Sequence, residues 1–138
     1  AAAVEILPDA FVRFHRAYPG IDVSVEVHDT AHLLERLTTG LVDLALGTLP
    51  VSHDEVTTTP LLTERLGLVA PVAWQGRSLK DLLRSEPFIA YPTGSVTRDL
   101  VDRALEPLGL PARAAMEIGQ PAVSARLVAA GFGVSVLL

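Results

Sequence analysis

Helix and strand patterns alternate through the first 47 residues of the chain, with only short turns between them. Residues 4–18 repeat apolar side chains every three or four positions, which indicates an amphipathic helix. Residues 21–27 alternate apolar and polar at every step, which predicts a strand with one buried face. A second helical pattern covers residues 30–40, and residues 41–47 are nearly all apolar, as in a parallel strand covered on both faces. This order predicts an α/β fold with crossover connections.

A second cycle of the same kind follows a break in the pattern at residues 71–78, which contain Pro71, Gly76 and Ser78. We therefore predict a first lobe at residues 1–70 and a second lobe at residues 71–138. The remaining predicted elements are β-rich pieces at 56–59 and 66–70, strands at 87–91, 112–118 and 133–138, and helices at 79–84, 96–108 and 121–130.

Composition excludes several classes of function. The chain has no cysteine, which rules out disulfides and thiolate metal sites. Eleven basic and sixteen acidic residues give a net charge of −5, so the chain by itself is a poor partner for DNA or RNA. No apolar run approaches the roughly 18 residues of a membrane span, and an apolar fraction of 49% is typical of a folded core.

Polar turns follow the predicted strands at residues 28–30, 47–49, 92–95 and 119–120. In open α/β sheets, ligands bind beyond the carboxyl ends of the strands, near helix N-termini. Two lobes with such loops favour a small ligand held between them. Asp29 or Thr30 is also the predicted N-cap of the second helix, and Gly40 its left-handed C-terminal residue.

The spacing of particular residues along nearly the whole chain resembles the effector-binding domain of LysR-type transcriptional regulators. No single motif carries the resemblance; the ordered set does. It comprises Ile6-Leu7-Pro8, Phe11, Phe14, Tyr18-Pro19, Val23, Val25, Val27, Leu33-Leu34, Leu37, residues 40–46, Pro60-Leu61-Leu62, Leu66, residues 68–71, Leu79, Asp81-Leu82, Pro87-Phe88-Ile89 and residues 127–137.

The resemblance implies two Rossmann-like lobes of the type 2 periplasmic-binding-protein kind, incomplete at both ends of this chain. It also implies a regulatory domain that binds a small-molecule effector, with a carboxylate as one candidate. The family's first-helix contact, commonly Ser or Thr, falls at about Ala1, which is a departure. Together with the polar turns, the family positions give these candidate effector residues: Asp29, Thr30, Gly47, Thr48, Tyr91, Thr93, Gly94, Ser95 and Gln120.

The resemblance further implies a cytoplasmic homodimer that reaches DNA only through an N-terminal winged helix-turn-helix absent from this chain. We expect the dimer to use residues 4–27 of one chain and the helix at 121–130 of the other. No membrane partner is expected. Two alternatives stay open: a solute-binding protein of a transporter with the same fold, and an enzyme of similar fold.

Metal binding and catalysis find little support in the residues. His28 and His32 have a metal-like spacing, but no third ligand follows at a clear interval, so a structural or exposed role is favoured. There is no Gly-x-Ser-x-Gly elbow and no phosphate-binding loop. Gln120 and Ser95, which precede predicted helices, are expected to act as caps at least as often as ligand contacts. We therefore predict no catalytic residue, metal or cofactor.

Overall fold

The computed structural model describes residues 2–110 and 113–138, with side chains described from Ile6 onwards. By backbone contacts the chain forms two compact units, one ending at Gly47 and the other beginning at Thr48. The helices of the first unit are α1 (Ala2–Ala17) and α2 (Thr30–Thr38). The second unit contains β1 (Gly67–Val69), α3 (Leu79–Ser85), β2 (Phe88–Ala90), α4 (Val96–Leu105), β3 (Ala114–Glu117), α5 (Pro121–Ala129) and β4 (Val134–Leu137), with 3₁₀ turns at Val72–Trp74 and Glu106–Leu108.

Both predicted helices of the first unit are confirmed, and so is the predicted capping of α2. The Asp29 carboxylate accepts a hydrogen bond from the backbone N–H of His32 at 2.9 Å, which satisfies one of the unpaired amides of the first turn. Gly40 follows the helix with a φ of 72°, a backbone conformation that favours glycine.

The predicted strands at residues 21–27 and 41–47 are wrong for the structure described, as is the β-rich piece at 56–59. None of these segments forms a β-ladder, and their apolar side chains are largely exposed: Val27 by 89% and Leu44 by 80%. A helix satisfies its own backbone, whereas a strand requires a second backbone alongside it. The alternating pattern predicts which face would be buried, but within the described residues no strand pairs with these segments.

The second unit is built on a four-stranded sheet in the order β1-β4-β2-β3. β2 pairs in parallel with both β3 and β4, and β1 is an antiparallel edge strand on β4. The strands predicted at 66–70, 87–91, 112–118 and 133–138 are thereby confirmed with shorter bounds, although residues 111 and 112 lie outside the described part. The mixed α/β class is confirmed, and the parallel pairs require crossovers such as α4 and α5.

The core of the second unit lies around β2 and β4. Phe88, Ile89 and Val134 are essentially inaccessible. Leu82 of α3 and Val101 of α4 belong to the same core cluster as Phe88 and Val134. The buried Ser135 hydroxyl donates a 2.8 Å hydrogen bond to the Ile89 carbonyl oxygen across the β2–β4 pair. This packing fixes β2 in the middle of the sheet, so that the loop after it has a rigid support.

The predicted boundary between lobes at residues 70 and 71 does not coincide with the division between the two units. β1, which was expected in the first lobe, pairs with β4 through residues 67–69 and thus belongs to the sheet of the second unit. The lobe boundaries themselves stay a prediction.

Candidate functional site

The loop after β2 lies where a ligand-binding loop of an α/β sheet is expected. β2 and β3 are parallel neighbours, so the residues that follow them emerge at the same edge of the sheet. Gly94 adopts a φ of 84°, which turns the chain from β2 into α4. Ser95 then caps α4: its hydroxyl accepts a 3.2 Å hydrogen bond from the backbone N–H of Arg98. The capping role expected for Ser95 is confirmed.

The loop donors converge on the carboxylate of Glu117, the last residue of β3. The Thr93 hydroxyl donates to Glu117 Oε1 at 2.7 Å, and the Thr93 backbone N–H donates to Oε2 at 3.2 Å. Arg98 Nη1 adds a third contact, 3.3 Å from Oε1. Residues 24 positions apart in the sequence are thus joined at the edge of the sheet where β2 and β3 end.

Arg98 connects this carboxylate to the first turns of α4. Its Nε donates to Asp102 at 2.8 Å, an ion pair one helical turn along, and its Nη1 donates to the Tyr91 carbonyl oxygen at 3.1 Å. Its side chain is only 15% exposed. The Arg98 guanidinium therefore forms ion pairs with two carboxylates, so the formal charges of Arg98, Asp102 and Glu117 sum to −1.

The environment of Glu117 favours its ionised form. Hydrogen bonds from the Thr93 hydroxyl and then the Thr93 amide hold the pKa of Glu117 below its ordinary value, and the nearby Arg98 charge acts in the same direction. With its side chain 41% exposed, Glu117 still presents part of its carboxylate to solvent. The site therefore offers hydrogen-bond acceptors at neutral pH.

Tyr91 begins the same loop but points into the core. It is 7% exposed, and its hydroxyl is buried without a hydrogen-bond partner among the described residues. Burial raises the pKa of the Tyr91 phenol; the backbone of Leu138, near it but outside hydrogen-bond geometry, opposes that shift, and the charge of Glu64 adds to it. A buried hydroxyl without a partner is energetically costly.

Gln120 and Gly119 bring the loop after β3 close to the loop after β2. A Cβ atom at Gly119 would lie 3.6 Å from Cγ of Pro92, which places the two loops in van der Waals proximity. Gln120 occupies the N-cap position of α5, but its side chain makes no capping hydrogen bond. The capping role that the sequence favoured for Gln120 is wrong.

In the first unit, two further candidate residues lie side by side. A Cβ atom at Gly47 would lie 3.2 Å from Cγ2 of Thr30, so a larger residue there would press on the Thr30 side chain. Asp29 is committed to capping α2, as described above, and Thr48 is the first residue of the second unit. Ala1, the family's first-helix position, lies outside the described residues.

Eight of the nine candidate residues thus fall into two groups, and the ninth, Thr48, begins the second unit. Thr93, Gly94, Ser95, Tyr91 and Gln120 belong to the loops after β2 and β3, and Asp29, Thr30 and Gly47 belong to the first unit. That Thr30, Thr48, Thr93 and Ser95 line one site stays a prediction.

Sequence reasoning missed Glu117, Arg98 and Asp102. The four-residue spacing of Arg98 and Asp102 on a predicted helix was a usable signal for an ion pair. Glu117 carried no such signal, because its role depends on the parallel pairing of β2 with β3 and on the register of that pairing.

One concave surface lies along α4 rather than at the loop. It is an open groove with both charged and apolar lining, and it shares Arg98 and Asp102 with the cluster described above. Its lining comprises Arg98, Asp99, Asp102, Arg103, Leu105, Glu106, Gly109, Leu110 and Arg113. Because none of the nine candidate residues lines this groove, we place the candidate site at the loops.

His28 and His32 stack with ring centroids 4.7 Å apart, and His28 Nε2 lies 3.3 Å from a Glu26 carboxylate oxygen. Arg36 also pairs with Glu26 at 2.7 Å. Across residues 2–110 and 113–138, no group of three His, Cys, Asp or Glu side chains is arranged to hold a metal ion. Nor does that part of the chain contain a helix long and apolar enough to cross a bilayer.

The family model of the LysR substrate binding domain matches residues 1–138. A curated relative, the HTH-type transcriptional regulator YofA of Bacillus subtilis (strain 168), is 30% identical over 135 residues, which cover 98% of this chain and 46% of the relative. The chain therefore spans about half the length of that relative.

Solved structures show the same similarity. The LysR family transcriptional regulator HinK from Pseudomonas aeruginosa is 29% identical with a TM-score of 0.77, covering 99% of this chain and 48% of that one. The CcmR regulatory domain of Synechocystis PCC6803, solved in complex with 2-PG, is 26% identical with a TM-score of 0.79, covering 99% of this chain and 67% of that domain.

Proposed function

Because the chain belongs to the LysR substrate-binding domain family, whose model matches residues 1–138, we propose that it is the effector-sensing part of a DNA-binding transcriptional regulator. The observation that carries this proposal is the match along the whole chain. We assign DNA binding to a winged helix-turn-helix in the part of the full-length regulator, about half, that this chain does not span.

The proposed activity is differential binding of a small molecule rather than catalysis. An effector that binds one arrangement of the protein more tightly shifts the population toward that arrangement. We assign effector contacts to Asp29, Thr30, Gly47 and Thr48, and to Tyr91, Thr93, Gly94, Ser95 and Gln120. Support comes from the position of the second set in loops that end parallel strands, and from the relative CcmR, whose regulatory domain was solved with 2-PG.

The same proposal includes a homodimer and a cytoplasmic place of action. A regulator of this family acts on DNA, which in a bacterium lies in the cytoplasm. The alternatives of a transporter's solute-binding protein and of an enzyme lose support, since the relatives named above are transcriptional regulators.

The test is a thermal-shift screen of this chain against a library of small metabolites, followed by calorimetry on each compound that raises the Tm. We expect at least one compound to stabilise the chain, and Thr93→Val to weaken its binding by about tenfold, because the variant loses the hydroxyl that holds Glu117 in place at this loop. Thr57→Val, at an exposed position away from these loops, is the matched control and is expected to leave the Kd unchanged.

The regulatory half of the proposal is tested in the full-length protein. There the same compound is expected to change the affinity for promoter DNA, while the 138-residue chain alone binds no duplex at physiological salt because its net charge is −5. A compound that binds the chain but leaves DNA affinity unchanged would argue against a regulator.

A further inference from the structure

Three donors at the loop after β2, on Thr93 and Arg98, are already occupied by a group of the chain itself. An incoming anion would need unpaired N–H or O–H groups, such as the Thr93 amide, the Thr93 hydroxyl and the Arg98 guanidinium. All three donate to Glu117, at 3.2, 2.7 and 3.3 Å. A carboxylate from a ligand would therefore have to displace a carboxylate that is tethered in place.

The charge balance points in the same direction. Arg98 is the cation of this cluster, and its charge is shared between Asp102 and Glu117. With two carboxylates against one guanidinium, the cluster has a formal charge of −1. A second anion would meet net repulsion, whereas a cation or a neutral hydrogen-bond donor would not.

Glu117 retains the capacity to accept further hydrogen bonds. A carboxylate offers about four lone-pair positions, and three donors are present here. The side chain remains partly exposed, and its lowered pKa keeps it ionised at neutral pH. A hydroxyl or an ammonium group of a ligand could donate to it without displacing Thr93.

We propose that Glu117 is the specificity-determining residue of this loop: it excludes anionic groups from the Thr93 and Arg98 donors and selects a ligand group that donates a hydrogen bond, a hydroxyl or an ammonium. That this ligand is the effector rests on the proposed function above. The preference of the loop for a hydrogen-bond donor does not depend on that function. If the effector carries a carboxylate, that carboxylate binds elsewhere in the protein.

The experiment follows the backbone amide of Thr93 by ¹⁵N–¹H correlation spectroscopy of the chain while acetate or methylammonium is added at constant ionic strength. In the wild type, we expect methylammonium to shift this resonance at lower concentration than acetate. In Glu117→Ala, we expect the apparent Kd for acetate to fall by about tenfold, because the three donors lose their acceptor, and the preference to reverse.

Two further variants make the result specific. Glu117→Gln removes the charge of the side chain and keeps its shape. It should therefore weaken methylammonium binding without creating the cavity that Glu117→Ala leaves. Glu86→Ala removes a carboxylate that pairs with Arg77 in the same unit but away from the loop, and it should keep the wild-type preference. The spectra themselves report whether each variant is folded.

An unchanged preference in Glu117→Ala and Glu117→Gln would overturn the proposal, and so would a Thr93 amide that responds to neither ion in any variant. The failure of the regulator proposal is distinguishable from this. If the metabolite screen finds no ligand but the ion preference reverses, the assignment of Glu117 stands and the effector function falls.

Discussion

At the scale of single residues, Glu117 makes stability depend on pH in a defined window. Its pKa is lowered on folding by Thr93 and Arg98, so its stabilising contribution is complete above the unfolded pKa of about 4.3 and is lost as the pH falls through the lower folded value. We expect Glu117→Gln to have a lower free energy of unfolding than the wild type at pH 7. In acid, where Glu117 is protonated in both states, we expect this difference to disappear. Urea unfolding at several pH values measures it, with Glu55→Gln, at an exposed carboxylate, as the control; a wild-type advantage that persists in strong acid would contradict the assignment.

The buried hydroxyl of Tyr91 leads to an expectation in the opposite direction. Because this hydroxyl has no partner among the described residues, Tyr91→Phe removes an unsatisfied polar group and keeps the packing of the ring. We expect the free energy of unfolding to rise by about 1 kcal/mol. Tyr18→Phe, at an exposed tyrosine, is the control and should change nothing. A loss of stability in Tyr91→Phe, measured by urea unfolding, would show that the hydroxyl is hydrogen-bonded.

At the scale of elements, the junction between α5 and β4 requires a residue without a side chain. A Cβ atom built on Gly133 would overlap the carbonyl oxygen of Pro87, which also accepts the hydrogen bond from the Val134 amide at 2.9 Å. We expect Gly133→Ala to cost about 1–3 kcal/mol through displacement of β2 from β4. Gly67→Ala in β1 meets no atom within 4 Å and serves as the control. Equal Tm values for the two variants would refute the close approach.

Some strands of this chain could be predicted from local sequence patterns and others could not. β2 and β4 were predictable because short apolar runs bounded by Pro87, Gly131 and Gly133 are typical of buried parallel strands. Residues 21–27 show an equally clear alternation, yet they form no strand in the described chain, since strand formation requires a partner that no local pattern specifies. In the site, Thr93 and Ser95 were found from their position after a strand, whereas Glu117 required the register between β2 and β3.

At the scale of the whole molecule, the exposed apolar residues of α1 support the predicted homodimer. Val12 is 50% exposed, Phe14 is exposed on the same helix, and the exposed Tyr18 directly follows it. We expect Val12→Asp to convert the full-length protein to monomers, as measured by sedimentation, because a charge would be buried in an interface of at least about 1,000 Å². Val72→Asp changes an exposed valine outside the predicted interface and should leave the dimer intact. If Val12→Asp sediments as the wild type does, residues 4–27 are not the interface.

The strand order β1-β4-β2-β3 has a consequence for synthesis on the ribosome. β4 is the last of the four strands along the chain, yet it lies between β1 and β2. While the chain emerges from the exit tunnel, β1 has no backbone to pair with, and β2 and β3 have only each other. The nascent chain therefore exposes an open strand edge and the apolar face of β2 until nearly all of the second unit has been translated, which is the state that chaperones recognise. The described sheet is complete only when β4 pairs with both β1 and β2.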